Sequence, residues 1–246
     1  MSYLLIPVAP LSRTKSRLRD CFSKEQLKEL TIAMFRDLGN TLSKVDNYKG
    51  IVVYCHDSEI LELAEKYNLI GIKEKLTKPR KSFDEVISDL NNIAMTNFNA
   101  QQTVFCFLDT ILIAAKNFTE INLLLKENQL VVCPAIHSAG VSILGRNPPN
   151  IISTYFSDPN IPSFIALINN AKKFKLDKIA IYDSFRAGFD IDIKQDLLLA
   201  YHYLKLLNLD TTETYLYLKN NLKLTLQKSS AEDNRKFKIT KKKRAD

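Results

Sequence analysis

The sequence predicts an α/β fold: a mostly parallel sheet with helices on both faces and a small antiparallel insertion. Three observations carry this. Short apolar runs alternate with stretches of helical periodicity over most of the chain, which is the pattern of repeated strand–helix–strand units. The run Val104-Phe105-Cys106-Phe107-Leu108 is apolar throughout, as a strand covered on both faces must be. The rhythm then changes at Gly140–Leu144, a strand with no full helix before it, and this marks the antiparallel piece.

The elements follow in order. Tyr3–Val8 is a strand, and Ala9–Leu18 a loop. Ser23-x-x-Gln26 has the form of a capping box and opens a helix that places Leu27, Leu30, Met34, Leu38 and Leu42 on one face. Ile51–Cys55 is a strand, Asp57 or Ser58 caps a short helix, and Leu69–Ile72 is a third strand. Ser82-x-x-Glu85 is a second capping box, opening a helix to Phe98. The central strand follows and ends on Asp109. A helix over Thr119–Lys126 leads to the strand Leu130–Cys133, and Arg146-Asn147-Pro148-Pro149 breaks the chain after the Gly140 strand. Ser163–Phe174 reads as a helix, Lys178–Tyr182 as a strand and Asp183–Asp192 as a polar loop. Helices over Lys194–Leu207 and Thr211–Leu224 close the chain, the last capped by Asp210 or Thr211. The expected organisation is one domain over 1–228 and a basic, disordered tail over 229–246.

Composition narrows the function. The chain has 246 residues, 46% of them hydrophobic, enough for a sizeable core. Glycine is scarce, at six residues, and neither GxGxxG nor GxxxxGK[ST] occurs; this argues against the dinucleotide-binding and P-loop classes, which need glycine where backbone meets phosphate. Four scattered cysteines without a CxxC and three isolated histidines argue against disulfides and zinc, and fit a reducing cytoplasm. No apolar run is long enough for a membrane span, and the start lacks the basic region of a signal peptide. Net charge is +8, half of it in the tail. That tail reads as a solvated extension; nucleic-acid binding through it is a weaker third reading.

Three stretches can carry chemistry. Asp109 ends the central strand, and ligands of such sheets bind outside the carboxyl ends of strands; the plain alternative is a turn or helix cap. Arg13, Thr14, Lys15, Ser16 and Arg17 follow the first strand and offer three cations and two hydroxyls to a polyphosphate, or form a solvent-facing basic loop. Asp183, Asp190 and Asp192 follow another apolar strand. Magnesium takes one or two carboxylates with water and phosphate, so Asp109 with Asp190 or Asp192 makes such a site; alternatively one of the latter caps the next helix.

These residues also carry a resemblance. The opening strand with Ile6-Pro7, then Lys15-Ser16-Arg17-Leu18, an Asp ending the central strand, Asn147-Pro148, Ser163-Phe164, Tyr182-Asp183-Ser184, Asp190-Ile191-Asp192 and Asp196-Leu197 resemble the archaeal 2-phospho-L-lactate guanylyltransferase family of coenzyme F-420 biosynthesis. The resemblance implies a Rossmann-like three-layer nucleotidyltransferase fold and the transfer of GMP from GTP to 2-phospho-L-lactate, phosphoenolpyruvate or a phosphoglycerate, releasing pyrophosphate. It implies Lys15, Arg17 and Asp109 as catalytic residues, and Mg2+ on Asp109 with Asp190 or Asp192. Arg13, Ser163, Gly140 and Asp84 are then the substrate-binding positions. The partners are GTP or another nucleoside triphosphate, the small phosphorylated hydroxy acid and, as one option, a second copy in a homodimer.

Several positions depart from the family pattern. Asp109 is followed by Thr110-Ile111 in place of Leu-Pro, and a Gly-Gly-Thr-Asn run stands as Ser138-Ala139-Gly140-Val141. Asp84 replaces an Asn, Ala9 a Lys and Leu167 a His. Losing such polar contacts changes which substrate is selected. A second reading is therefore a catalytically impaired relative that keeps the fold as a nucleotide-binding or protein-interaction module.

Overall fold

A computed structural model of the chain describes residues 1–225 and 238–241. The strands and helices begin β1 (Ser2–Val8), α1 (Lys24–Leu42), β2 (Gly50–Cys55), α2 (Ser58–Lys66), β3 (Ile70–Lys73) and α3 (Phe83–Phe98). They continue β4 (Gln102–Cys106), α4 (Ala115–Glu127), β5 (Leu130–Pro134), β6 (Val141–Arg146), α5 (Ser163–Lys173) and β7 (Ile179–Ile181). They end α6 (Phe185–Gly188), α7 (Lys194–Leu206), α8 (Glu213–Asn221), β8 (Leu222–Thr225) and β9 (Lys238–Lys241).

The chain divides into two compact units where the sequence suggests one domain over 1–228. One is Met1–Pro10 with Leu38–Asp190; the other is Leu11–Asp37 with the chain from Ile191 onward. The division falls inside α1, between residues of one continuous helical pattern, so local periodicity does not register it.

The first unit holds a seven-stranded sheet in the order β3-β2-β1-β4-β6-β5-β7. β1 pairs in parallel with β2 and β4, β2 with β3, and β5 with β7. The antiparallel element is β6, which lies inside the sheet between β4 and β5. Every residue of β1 is buried, as are Val104, Phe105 and Cys106 of β4, because helices cover both faces. On one face Leu5, Val52, Phe105 and Val132 pack with Ile87 and Leu90 of α3 and Leu167 of α5. Ser82 accepts from the Glu85 amide at 3.3 Å and the Glu85 carboxylate accepts from the Ser82 amide at 2.6 Å, completing the capping box of α3.

The second unit contains the start of α1, then α7, α8 and the β8–β9 pair. Ser23 and Gln26 exchange bonds of 3.0 and 3.2 Å at the opening of α1. Leu27, Leu30 and Met34 are buried, as are Leu197, Leu198 and Leu204 of α7. Lys238–Lys241 of the stretch expected to be a disordered tail pair antiparallel with β8; the rest of that tail lies outside the described residues.

Several boundaries differ from expectation. β4 stops at Cys106, because Thr110 Oγ1 donates to the Phe107 carbonyl at 2.8 Å and turns the chain there. Arg146 is the last residue of β6, so the break begins at Asn147. The 183–192 loop contains the single turn α6, capped by Ser184, whose hydroxyl accepts from the Ala187 amide at 3.3 Å. The last helix is capped by Thr212 and ends at Asn221, where β8 begins. Among the described residues no helix is long and apolar enough to cross a membrane.

Candidate functional site

In the first unit, Asp109 lies three residues beyond the carboxyl end of β4, in a turn closed by Thr110. It does not cap α4: there the Asn117 side chain accepts from the Ala114 amide at 2.9 Å. Asp190 follows α6. Asp109 and Asp190, both half-buried, each offer a carboxylate oxygen within 4.8 Å of the other. Two carboxylates at that spacing fit a hard, oxygen-ligated cation that leaves its other positions to water and phosphate.

The approach of Asp190 depends on α6. Arg186 Nε donates to the Leu112 carbonyl at 2.6 Å, in the loop that follows Asp109. The Gly188 carbonyl accepts from the Ile136 amide at 2.9 Å and from Ser142 Oγ at 3.3 Å. A Cβ on Gly188 would stand 2.6 Å from the Pro134 carbonyl oxygen, so only glycine lets the turn sit against β5. Asn117 Nδ2 reaches both Tyr182 Oη at 2.9 Å and Ser184 Oγ at 3.3 Å, tying the start of this segment to α4. Sequence reasoning missed Arg186 and Gly188; the glycine inside a polar loop was the available signal for a close backbone approach.

The remaining first-unit positions sort into two groups. Gly140 closes a tight loop, its carbonyl accepting from the Ala135 amide at 3.1 Å. The Phe164 amide donates to the Ala139 carbonyl at 2.9 Å, so the start of α5, with Ser163, is held beside that loop. Asp84 stands apart from this pair in its bonding. Its carboxylate accepts from Thr154 Oγ1, from the Phe156 amide at 2.7 Å and from the Ser157 amide at 2.8 Å. Burial raises the Asp84 carboxyl, but these donors outweigh it and hold it below the ordinary value. The position expected to meet substrate thus anchors the 154–157 loop.

In the second unit, Lys15 sits in the left-handed region at φ 47°, ψ 41°, just before a 3-10 turn over Ser16–Leu18. Thr14 and Thr31 join their hydroxyls at 2.8 Å and Thr31 donates to the Leu27 carbonyl at 2.7 Å, fixing the loop to α1. Lys15 Nζ donates to the Ile191 carbonyl and lies 3.5 Å from the Asp192 carboxylate; Arg17 meets the same carboxylate at 3.0 Å. Asp192 does not cap α7. Buried Asp196 does, its carboxylate accepting from the amides of Asp192 and Ile193, each at 2.8 Å. Arg13 is exposed.

No cysteine competes as a nucleophile in either unit. All four are buried free thiols, and burial pushes Cys55, Cys106 and Cys133 up to about 12, where the reactive thiolate is scarce.

The chain is similar to known proteins over most of its length. The model of the family described as "Guanylyl transferase CofC like" matches residues 2–242. A 2-phospho-L-lactate guanylyltransferase of Methanocaldococcus fervens is 30% identical over 196 residues, 79% of this chain and 82% of that one. One from Methanocaldococcus sp. strain FS406-22 is 28% identical over 195 residues, 79% of this chain and 78% of its own. A solved structure from Desulfovibrio desulfuricans G20, described as a nucleotide-diphospho-sugar transferase, superimposes with a TM-score of 0.68, covering 89% of this chain and 94% of that one at 14% identity. At that identity the likeness is one of fold.

Proposed function

Because the chain belongs to the guanylyl transferase CofC-like family, we propose that it moves GMP from GTP to a small phosphorylated hydroxy acid. The first acceptor to consider is 2-phospho-L-lactate, the compound in the relatives' names, with phosphoenolpyruvate and phosphoglycerate as further candidates. Its product would then serve coenzyme F-420 biosynthesis. The observation that carries the reading is the Asp109–Asp190 pair, with oxygens within 4.8 Å just past the carboxyl end of β4.

In this reaction an acceptor phosphate oxygen bonds to the α-phosphorus of GTP, the bond from that phosphorus to the bridging oxygen breaks, and pyrophosphate leaves with the electron pair. The attacking oxygen is already an anion, so no base has to remove a proton. Catalysis is placement and charge neutralisation. Asp109 and Asp190 hold magnesium in the proposal; when bound, that ion neutralises charge on the phosphate oxygens. Lys15 and Arg17 take the triphosphate. Asp192 keeps both cations oriented until the nucleotide competes for them. Gly140 and Ser163, held together through Ala139 and Phe164, take the acceptor end.

The test is pyrophosphate release from GTP, ATP, CTP and UTP with each acceptor, with and without magnesium, on the wild type, Asp109→Asn and Asp190→Asn. Magnesium-dependent release with GTP, lowered at least roughly 100-fold in either variant, supports the proposal. Absence of release with every pair from folded protein overturns it. If nucleotide still binds in that case, the chain is a nucleotide-binding relative.

A further inference from the structure

Three aromatic rings stand partly open to solvent near Asp109. Phe107 is the first residue past β4 and lies two positions before Asp109. Its ring meets that of Phe83, the first residue of α3, at 5.4 Å between centroids, and that of Phe156 at 6.1 Å. Phe83 and Phe156 close the triangle at 6.2 Å. Rings in such contact usually fill a core, yet Phe83 is 42% exposed and the other two are only half-buried. Phe107, Phe156 and Phe164 pack against one core, and the Phe164 amide donates to the Ala139 carbonyl. That bond ties the core carrying the rings to the Gly140–Ser163 end. All of these residues belong to the first unit.

Asp84 builds this arrangement. Its carboxylate accepts from Thr154 Oγ1, the Phe156 amide and the Ser157 amide, and its own amide donates to Ser157 Oγ at 3.3 Å. Those donors approach both oxygens of the carboxylate. An asparagine at 84 would turn an NH2 group toward one set of them, donor against donor. Asp84 is the chain neighbour of Phe83, so bonding the 154–157 loop to it brings the Phe156 ring against the Phe83 ring. An exposed apolar surface beside a polar site marks a place where an apolar group binds. The acceptor of the proposed reaction supplies such a group. Its phosphate and carboxylate are polar, and the remaining carbon substituent is a methyl in 2-phospho-L-lactate and a hydroxymethyl in 2-phosphoglycerate.

Resting on the proposed guanylyl transfer, we propose that Phe83, Phe107 and Phe156 form the wall on which the acceptor's carbon substituent packs, with Asp84 as the residue that positions it. The chain then selects acids whose substituent is apolar. Phe83 lies at the open edge of the wall, so the substituent can be as large as an aryl group. 2-Phosphoglycerate is the poor acceptor, because its hydroxyl gives up water against the rings.

The experiment measures pyrophosphate release at saturating GTP and magnesium from the full chain. The acceptors are 2-phospho-L-lactate, 2-phospho-L-glycerate and 2-phospho-3-phenyl-L-lactate, and the variants are Phe83→Ser, Phe156→Ala and Asp84→Asn. In the wild type, kcat/KM is expected to be at least roughly tenfold higher for the lactate and phenyl acids than for the glycerate. Each variant brings that ratio to within about threefold of one, through the KM of the apolar acids. Asp84→Asn keeps all three rings, so a ratio lost there as in Phe156→Ala establishes its positioning role, and a ratio kept removes it. Three results overturn the proposal. They are equal use of the three acids by the wild type, a wild-type ratio in Phe83→Ser and Phe156→Ala, or a Phe83→Ser that raises only the KM for GTP, which puts the rings against the base. Absence of release with every acid defeats the transfer itself, and calorimetric titration of the three acids then decides the wall. Tightest binding of the phenyl acid, weakened in Phe83→Ser, upholds it; binding without that selectivity, or none, overturns it. Should Phe156→Ala or Asp84→Asn fail to fold, Phe83→Ser, at an exposed position, decides.

Discussion

Arg186 Nε donates to the Leu112 carbonyl at 2.6 Å, joining the turn that leads into Asp190 to the loop that follows Asp109. Neither residue carries a charge to the substrate in the proposed reaction. Their bond instead joins the two segments that carry Asp109 and Asp190, and in the proposed reaction it would orient them for a shared cation, as groups outside a coordination sphere orient the ligands within it. Arg186→Ala is expected to weaken magnesium activation roughly tenfold while lowering stability by about 1–3 kcal/mol. The check is a magnesium titration of pyrophosphate release beside a urea melt. A stability loss with unchanged magnesium dependence would show that Arg186 only braces the fold.

Gly188 permits that same approach. With a Cβ 2.6 Å from the Pro134 carbonyl oxygen, Gly188→Ala forces backbone apart. The expected cost is about 1–3 kcal/mol, read as a lower urea midpoint. A midpoint equal to the wild type would mean that the turn relaxes freely.

Lys15 separates stability from activity. At φ 47° it occupies a conformation that favours glycine. Lys15→Gly gains backbone ease and loses the bonds to Ile191 and Asp192, so its stability should stay within about 1 kcal/mol of wild type. Its turnover should fall at least roughly 100-fold if Lys15 binds the triphosphate. Parallel activity assays and thermal melts measure both.

Asp84 gives a pH signature. Burial alone would raise its carboxyl, but the Thr154, Ser157 and Phe156 donors bring it below 3.8. The unfolded chain therefore takes up this proton more readily than the folded one. The stabilisation is present above the unfolded value and is lost as pH falls through the lower folded value. The stability gap between wild type and Asp84→Asn should be widest above pH ~4 and close below it. Urea melts from pH 2.5 to 7 test this; a gap that widens toward acid would contradict the assignment.

Much of the architecture was legible in the chain itself. Ser82 with Glu85 and Ser23 with Gln26 announce helix starts, because a cap needs only residues three apart. The apolar runs in β1, β2, β4 and β5 announce buried strands for the same reason: backbone preference and burial pattern are encoded within a few residues. Asp109, Asp190 and Lys15 were also visible as charges following apolar strands.

Tertiary structure decided how those charges are used. It gave Asp192 to Lys15 and Arg17, partners more than 170 positions away in sequence, and set Asp190 beside Asp109. Asp84 was turned inward to a loop that lies 70 to 73 positions on. It placed Arg146 at the end of an antiparallel strand with one edge of its guanidinium unmet among the described residues. No local pattern specifies such meetings. They follow from strand order and from the packing of helices that bring remote turns together, and those depend on the whole folded chain at once.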